Sequence, residues 1–145
     1  MNALPFAVLS QLATTLPLAG LIWTIQLVHY PLFAKVGAPT FGAYHAGHTA
    51  MITPLVMPLM VAELAAAFAT VRWPSTRVPP WFGGAMLILV LCAWATTGLL
   101  SVPAHNALAN GFDPRAHERL LLTNWLRTLA WTARSALLLW ALRRG

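Results

Sequence analysis

Carboxylates are scarce in this chain: Glu63, Asp113 and Glu118 are the only three among 145 residues. That excludes an acidic metal cage and a paired-carboxylate hydrolytic centre, which needs two carboxyl groups facing one another. Cysteine is scarcer still. The single Cys92 lies in the apolar run Val90-Leu91-Cys92-Ala93, which argues against a disulfide or a cysteine metal cage and is expected to be buried packing. None of Ser10, Ser75, Ser101 and Ser135 sits in a nucleophile motif, and no glycine-rich phosphate loop is present. Repeats, low-complexity tracts and lipidation motifs are absent as well. The nine lysines and arginines are dispersed, so the clustered basic surface that nucleic acid requires is missing.

Apolar residues are abundant. They make up 59% of the chain against 8% charged, with seven tryptophans and a mean hydropathy of +0.68. No soluble globule can cover its surface with so few polar groups, which points to an integral membrane protein. Apolar stretches run over roughly 4–28, 49–71, 81–102 and 120–142, each near the ~20 residues that cross a bilayer as a helix. The expected fold is all-α: a four-helix bundle, up-down-up-down, forming one transmembrane domain over residues 1–145. Met1-Asn2-Ala3-Leu4 has no basic character, and the first stretch exceeds a signal-peptide core of ~7–15 residues, so it reads as a retained helix.

Orientation follows from the basic residues flanking the stretches. Arg72, Arg77, Arg143 and Arg144 mark one face, against Lys35, Arg115 and Arg119 on the other, offset there by Asp113 and Glu118. The positive-inside rule then places both termini in the cytoplasm, in a membrane of the bacterial inner-membrane kind.

On this topology His29, His45, His48, His105 and His117 all fall on the extracytoplasmic face. His45 and His48, three apart in the first outer loop, stand over one helical face and can chelate one ion, or simply decorate a solvated loop helix. Trp23, Gln26 and His29 form an inward stripe or an interfacial belt on the first helix. That helix is expected to end or kink at Tyr30, because Pro31 disfavours helical geometry there. His105 follows Pro103 at the bundle mouth and completes a set of His29, His45, His48 and His105 suited to iron or copper. Haem ranks lower, since none of the histidines sits deep in a span facing another. His117 falls on the first exposed turn of the fourth helix, which Asp113-Pro114 is expected to cap, and is the member to leave out.

The fourth stretch carries Asn124, Arg127, Trp131 and Arg134 on one helical face. Arginines within a span cost ~2.5–3.5 kcal/mol each on insertion scales, so both should turn inward and find partners. Glu63, nine residues before Arg72, matches the depth of Arg134, nine before Arg143, which predicts a buried Glu63–Arg134 ion pair. Gln11, Thr14 and Thr15 share that depth. Arg127 has no carboxylate at its own depth. It is therefore open to a substrate oxygen or anion, or else to loop carbonyls, Asp113 or Glu118 folding inward. Fifteen residues, roughly 22 Å of helix, separate His48 from Glu63. Two layers follow: an outer one of histidines and Arg127, and an inner one of Glu63 and Arg134.

Val102-Pro103-Ala104-His105-Asn106, Asn124-Trp125 and Trp131-Thr132-Ala133-Arg134 are similar to motifs of small four-helix bacterial membrane proteins of the anthrone-oxygenase-like family. The resemblance covers mainly the C-terminal half; His29, His45 and His48 lie outside it. It implies an oxygenase of aromatic polyketide-like substrates, with Asn106, Asn124 and Arg134 as the positions carried over. Two classes of function remain open. One is a membrane oxidoreductase or oxygenase that holds a redox metal on the histidines and orients a lipophilic small molecule with Arg127, Asn124 and Asn106. The other is a noncatalytic membrane module, an accessory subunit or small transporter, that uses the Glu63/Arg134 layer. The lipid bilayer is the expected partner, nucleic acid is not, and a homo-oligomer is left open.

Overall fold

A computed structural model describes residues 6–144. The N-terminal Met1-Asn2-Ala3-Leu4, on which the signal-peptide argument rests, lies outside the described residues. The described chain is all helical, in four rods joined by short connections: α1 (Phe6–Phe33), α2 (Ala38–Arg72), α3 (Trp81–Leu108) and α4 (Pro114–Arg144).

The first three are long and apolar enough to span a membrane. The expectation of four apolar spans thus holds for three. In α4 the two mid-helix arginines and the Arg115-Glu118-Arg119 cluster of its first turns dilute the apolar character. Large apolar side chains crowd the exterior, with Met51 79%, Leu99 71% and Ile88 68% exposed. Such an outer surface is stable against lipid and unstable in water, which marks a membrane protein.

Helices α1 and α3 run further than their apolar stretches do, and for the same reason. A proline ring clashes with the carbonyl four residues back and brings no N–H to bond it. Here each helix widens to π geometry just before the proline: Ile25–His29 ahead of Tyr30-Pro31, and Thr97–Ser101 ahead of Val102-Pro103. The Tyr30 N–H donates to the Ile25 carbonyl and the Val102 N–H to the Thr97 carbonyl, both five residues back. The helix therefore does not end at Tyr30 but continues to Phe33, and α3 carries His105 on a helical turn ending at Leu108. Likewise α2 begins at Ala38, so His45 and His48 ride on a long helix that also contains Pro54 and Pro58. The Asp113 side chain accepts the N–H groups of Arg115 (2.8 Å) and Ala116 (3.4 Å), starting α4 where the Asp-Pro pair predicts.

Two apolar clusters fill the interior. The larger surrounds Ile22, Phe33, Phe41, Met60, Leu120 and Trp131; the smaller groups Val8, Phe82, Met86 and Leu138. Gly83 lets α3 approach α2 closely, because a Cβ there would stand 3.2 Å from the Thr70 carbonyl oxygen. Cys92 departs from expectation: it is exposed on the outer surface of α3 and fills no core position. Apolar neighbours on both sides in sequence say nothing about which helix face points out to lipid.

Candidate functional site

At one level of the bundle all four helices contribute to a closed polar network. The Arg134 Nε donates to the Glu63 Oε1 at 2.9 Å, and both side chains are fully buried. Glu63 also accepts from Thr15 (2.5 Å) and from the Trp131 indole (2.9 Å), while Arg134 donates to Gln11 (2.9 Å), Thr15 and the Met86 carbonyl. Gln11 in turn donates to Thr70 at 2.6 Å. Thr14, expected at this depth, bonds only backbone carbonyls of its own helix.

Nearer the other end, α1, α2 and α3 bring four histidines together. The His29 Nε2 and His48 Nδ1 lie 2.8 Å apart, and the His45 Nε2 and His105 Nδ1 lie 3.0 Å apart. His48 is the member of its pair that faces the other, its ring centre 4.6 Å from His29, 5.6 Å from His105 and 6.4 Å from His45. The buried Nε2 of His48 has no hydrogen-bond partner. The spacing of His45 and His48 thus does place both on one helical face, and His29 and His105 meet them there.

His117 is not exposed. It is buried, with its Nε2 2.7 Å from the Tyr30 carbonyl oxygen and its ring packed on Phe33 and Phe112, so it braces α4 against α1 apart from the four-histidine cluster. Trp23 departs from the inward stripe as well: it is 36% exposed and donates to Thr132, whereas Gln26 alone of that stripe is buried.

Tyr30, which the sequence reading assigns no chemistry, joins this layer. Its hydroxyl lies 2.9 Å from the His105 Nε2 and interacts with Arg127. The signal was faint: a tyrosine before a proline looks like a helix terminus, and only the π segment turns it inward.

Arg127 is 6% exposed, and besides its interaction with Tyr30 its side chain reaches Ser101 Oγ and Asn124 Oδ1 only at 3.4 Å. Its guanidinium lies 5.2 Å above the Trp131 ring, and its Nε has no hydrogen-bond partner. Asp113 and Glu118 are exposed and do not fold in to meet it. Asn124 is fully buried, donates to the Gln26 Oε1 at 2.8 Å and accepts from Arg127 at 3.4 Å. Trp131 connects the two expected layers, touching Arg127 with its face and Glu63 with its N–H.

Two cavities flank the histidines. One of about 540 Å³ is walled mainly by aliphatic side chains of α1 and α2, with His29, Tyr44 and His48 on its lining. The other, about 260 Å³, has apolar walls of Ile52, Val56, Met57 and Val102 and a polar end made by Tyr30, Ser101, His105, Asn106 and Arg127. Asn106 sits on this lining at an exposed position, so of the three positions carried over by resemblance only Asn106 faces a cavity.

As placed, the imidazoles are engaged pairwise, and no three His, Cys, Asp or Glu groups among the described residues converge to hold one ion. Nitrogens of two imidazoles on a tetrahedral ion with bonds of ~2.0–2.1 Å stand about 3.3 Å apart. The 2.8 and 3.0 Å contacts are shorter, so metal loading requires both histidine pairs to open by tenths of an ångström. No protein-family model, curated protein or solved structure matches the chain.

Proposed function

We propose that the chain is a membrane-embedded oxidoreductase of the oxygenase-like kind, acting on a lipophilic small molecule held beside the four-histidine cluster. The observation that carries this reading is a buried arginine without a carboxylate, sharing a small apolar cavity with Tyr30 and His105. Apolar walls exclude water, and Arg127 offers a fixed positive charge to a substrate oxygen, which a water-poor site makes stronger. Tyr30 and His105 hold a proton between them next to that oxygen.

In this reading His29, His45, His48 and His105 bind iron or copper. The donor type fits, since neutral imidazole suits both, and the buried His48 Nε2 is left without a hydrogen-bond partner. A redox metal there supplies one-electron chemistry that no side chain of this chain provides. The same reading has α4 crossing with the other three helices, up-down-up-down, both termini cytoplasmic and the histidines toward the extracytoplasmic face of a bacterial inner membrane. The likeness to anthrone-oxygenase-like proteins points to aromatic substrates.

One observation favours a second reading, a noncatalytic accessory or transport module: the histidines already satisfy one another in pairs. A conduit through Glu63 and Arg134 gains no such support, because every partner in that layer is committed.

Metal analysis with an absorption spectrum on untagged protein in detergent separates the two. The oxidoreductase reading expects about one iron or copper per chain, lost in the His45→Ala/His48→Ala variant while the fold persists. Metal-free wild-type protein after growth with added iron and copper contradicts it.

A further inference from the structure

A buried guanidinium is normally matched by a carboxylate or by a full set of acceptors. Arg134 has both, whereas Arg127 has no carboxylate and an incomplete set of acceptors: apart from the uncharged Tyr30 hydroxyl its two side-chain acceptors are long, its Nε is unpartnered, and Glu63 is committed elsewhere. Asn124 and the Trp131 face fix the group in place without neutralising it. The positive charge is therefore preorganised for an anion from outside the chain.

The surroundings define that anion. The cavity at Arg127 is too small for a bulky ligand at about 260 Å³, and apart from its polar end its walls are aliphatic and thioether side chains together with Thr49, Thr53 and Thr97, whose hydroxyls are bonded to carbonyls of their own helices. Its mouth is set by how α2 and α3 pack. Their backbones lie together along Trp81–Thr96 and diverge beyond it, where α2 reaches the Thr97–Leu108 stretch through the long side chains of His45, His48 and His105. The cavity occupies this divergence, with Val102 47% and Met57 36% exposed at its rim. On a membrane-embedded bundle such an apolar rim faces hydrocarbon, so entry is lateral, from the lipid.

We infer that this cavity binds the ionised oxygen of a single-chain lipophilic acid on Arg127, with the hydrocarbon tail leaving between α2 and α3. Tyr30 and Ser101 donate hydrogen bonds to the same head group, and Ile52, Val56 and Met57 cover the first part of the tail. The inference rests on the proposed substrate site and names its substrate class, an anionic single-chain amphiphile, in place of the aromatic class to which the family likeness points.

Binding of oleate and of oleyl alcohol to the protein in maltoside detergent, measured by calorimetry at alkaline pH, tests it. The two probes share a tail and differ in charge. Wild-type protein should bind oleate at least about tenfold more tightly, Arg127→Gln should bind the two alike, and Val102→Trp, which plugs the mouth and keeps Arg127, should weaken oleate by a similar factor. Equal affinity of the two probes for wild type overturns the inference, as does a charge preference that survives in Arg127→Gln. Undiminished oleate binding by Val102→Trp overturns it even if Arg127→Gln fails to fold. Iron and copper measured on the same samples keep the two proposals apart: charge preference in metal-free protein refutes only the redox reading, and metal-bearing protein without charge preference refutes only this one.

Discussion

Two arginines on one helix face have opposite fates, and the difference lies in what reaches them. Arg134 meets Glu63, Gln11, Thr15 and a backbone carbonyl, while Arg127 meets an aromatic face, the Tyr30 hydroxyl and two distant oxygens, none of them charged. Removing the single buried carboxylate leaves Arg134 charged and unpaired, so Glu63→Ala should destabilise the protein by ~3–5 kcal/mol, read as a lowered thermal midpoint in detergent. A midpoint equal to wild type would contradict a buried pair. Tyr30→Phe deletes the hydroxyl that bonds His105 and should cost about 1–3 kcal/mol. It should also weaken oleate binding while leaving Arg127 in place. The Glu63–Arg134 pair is legible in the sequence because a lone carboxylate within an apolar stretch has few places to go and counting from Arg72 and Arg143 sets its depth. Tyr30 is not, because its role depends on a local helix widening that residue types do not announce.

At the level of helices, proline governs the departures from expectation. Pro31 reads as a helix end or kink and Pro103 falls just past the third apolar stretch, yet each is accommodated by a preceding π segment, and these two segments place Gln26 and Ser101 in the interior. π segments are often found at functional sites, and here they adjoin Tyr30 and precede His105 by one turn. Helix contacts make further expectations. At Gly83 any side chain meets the α2 backbone, so Gly83→Val should cost about 1–3 kcal/mol through overpacking, measured by thermal unfolding. Gly111, with φ of 137°, closes the turn between α3 and α4 in a conformation that L side chains rarely adopt. His117→Ala removes a brace between α4 and α1 and should lower stability by about 1–3 kcal/mol. Because His117 stands apart from the cluster, metal content should stay at the wild-type value. Loss of metal in His117→Ala with retained fold would mean the ligand set is drawn wrongly.

Across the whole molecule, hydropathy alone carries the fold class, since three helices are long and apolar enough to cross a membrane. The same sequence signal blurs for α4, where the residues that make the interior chemistry also lower its apolar character. The grouping of His29, His45, His48 and His105 is legible from the common ends of the apolar stretches. Their pairwise bonding is not, because it depends on helix extensions past 28, before 49 and past 102. Separate layers are expected from the fifteen-residue offset between His48 and Glu63, and Trp131 joins them nonetheless, coupling the Arg127 site to the Glu63–Arg134 network through one indole. X-ray absorption at the iron and copper edges, on detergent-purified protein from metal-supplemented cells, tests the central claim most directly. The account predicts a shell of imidazole nitrogens whose ring scattering falls in the His45→Ala/His48→Ala variant; a metal shell unchanged in that variant, or no bound iron or copper in wild type, would contradict it.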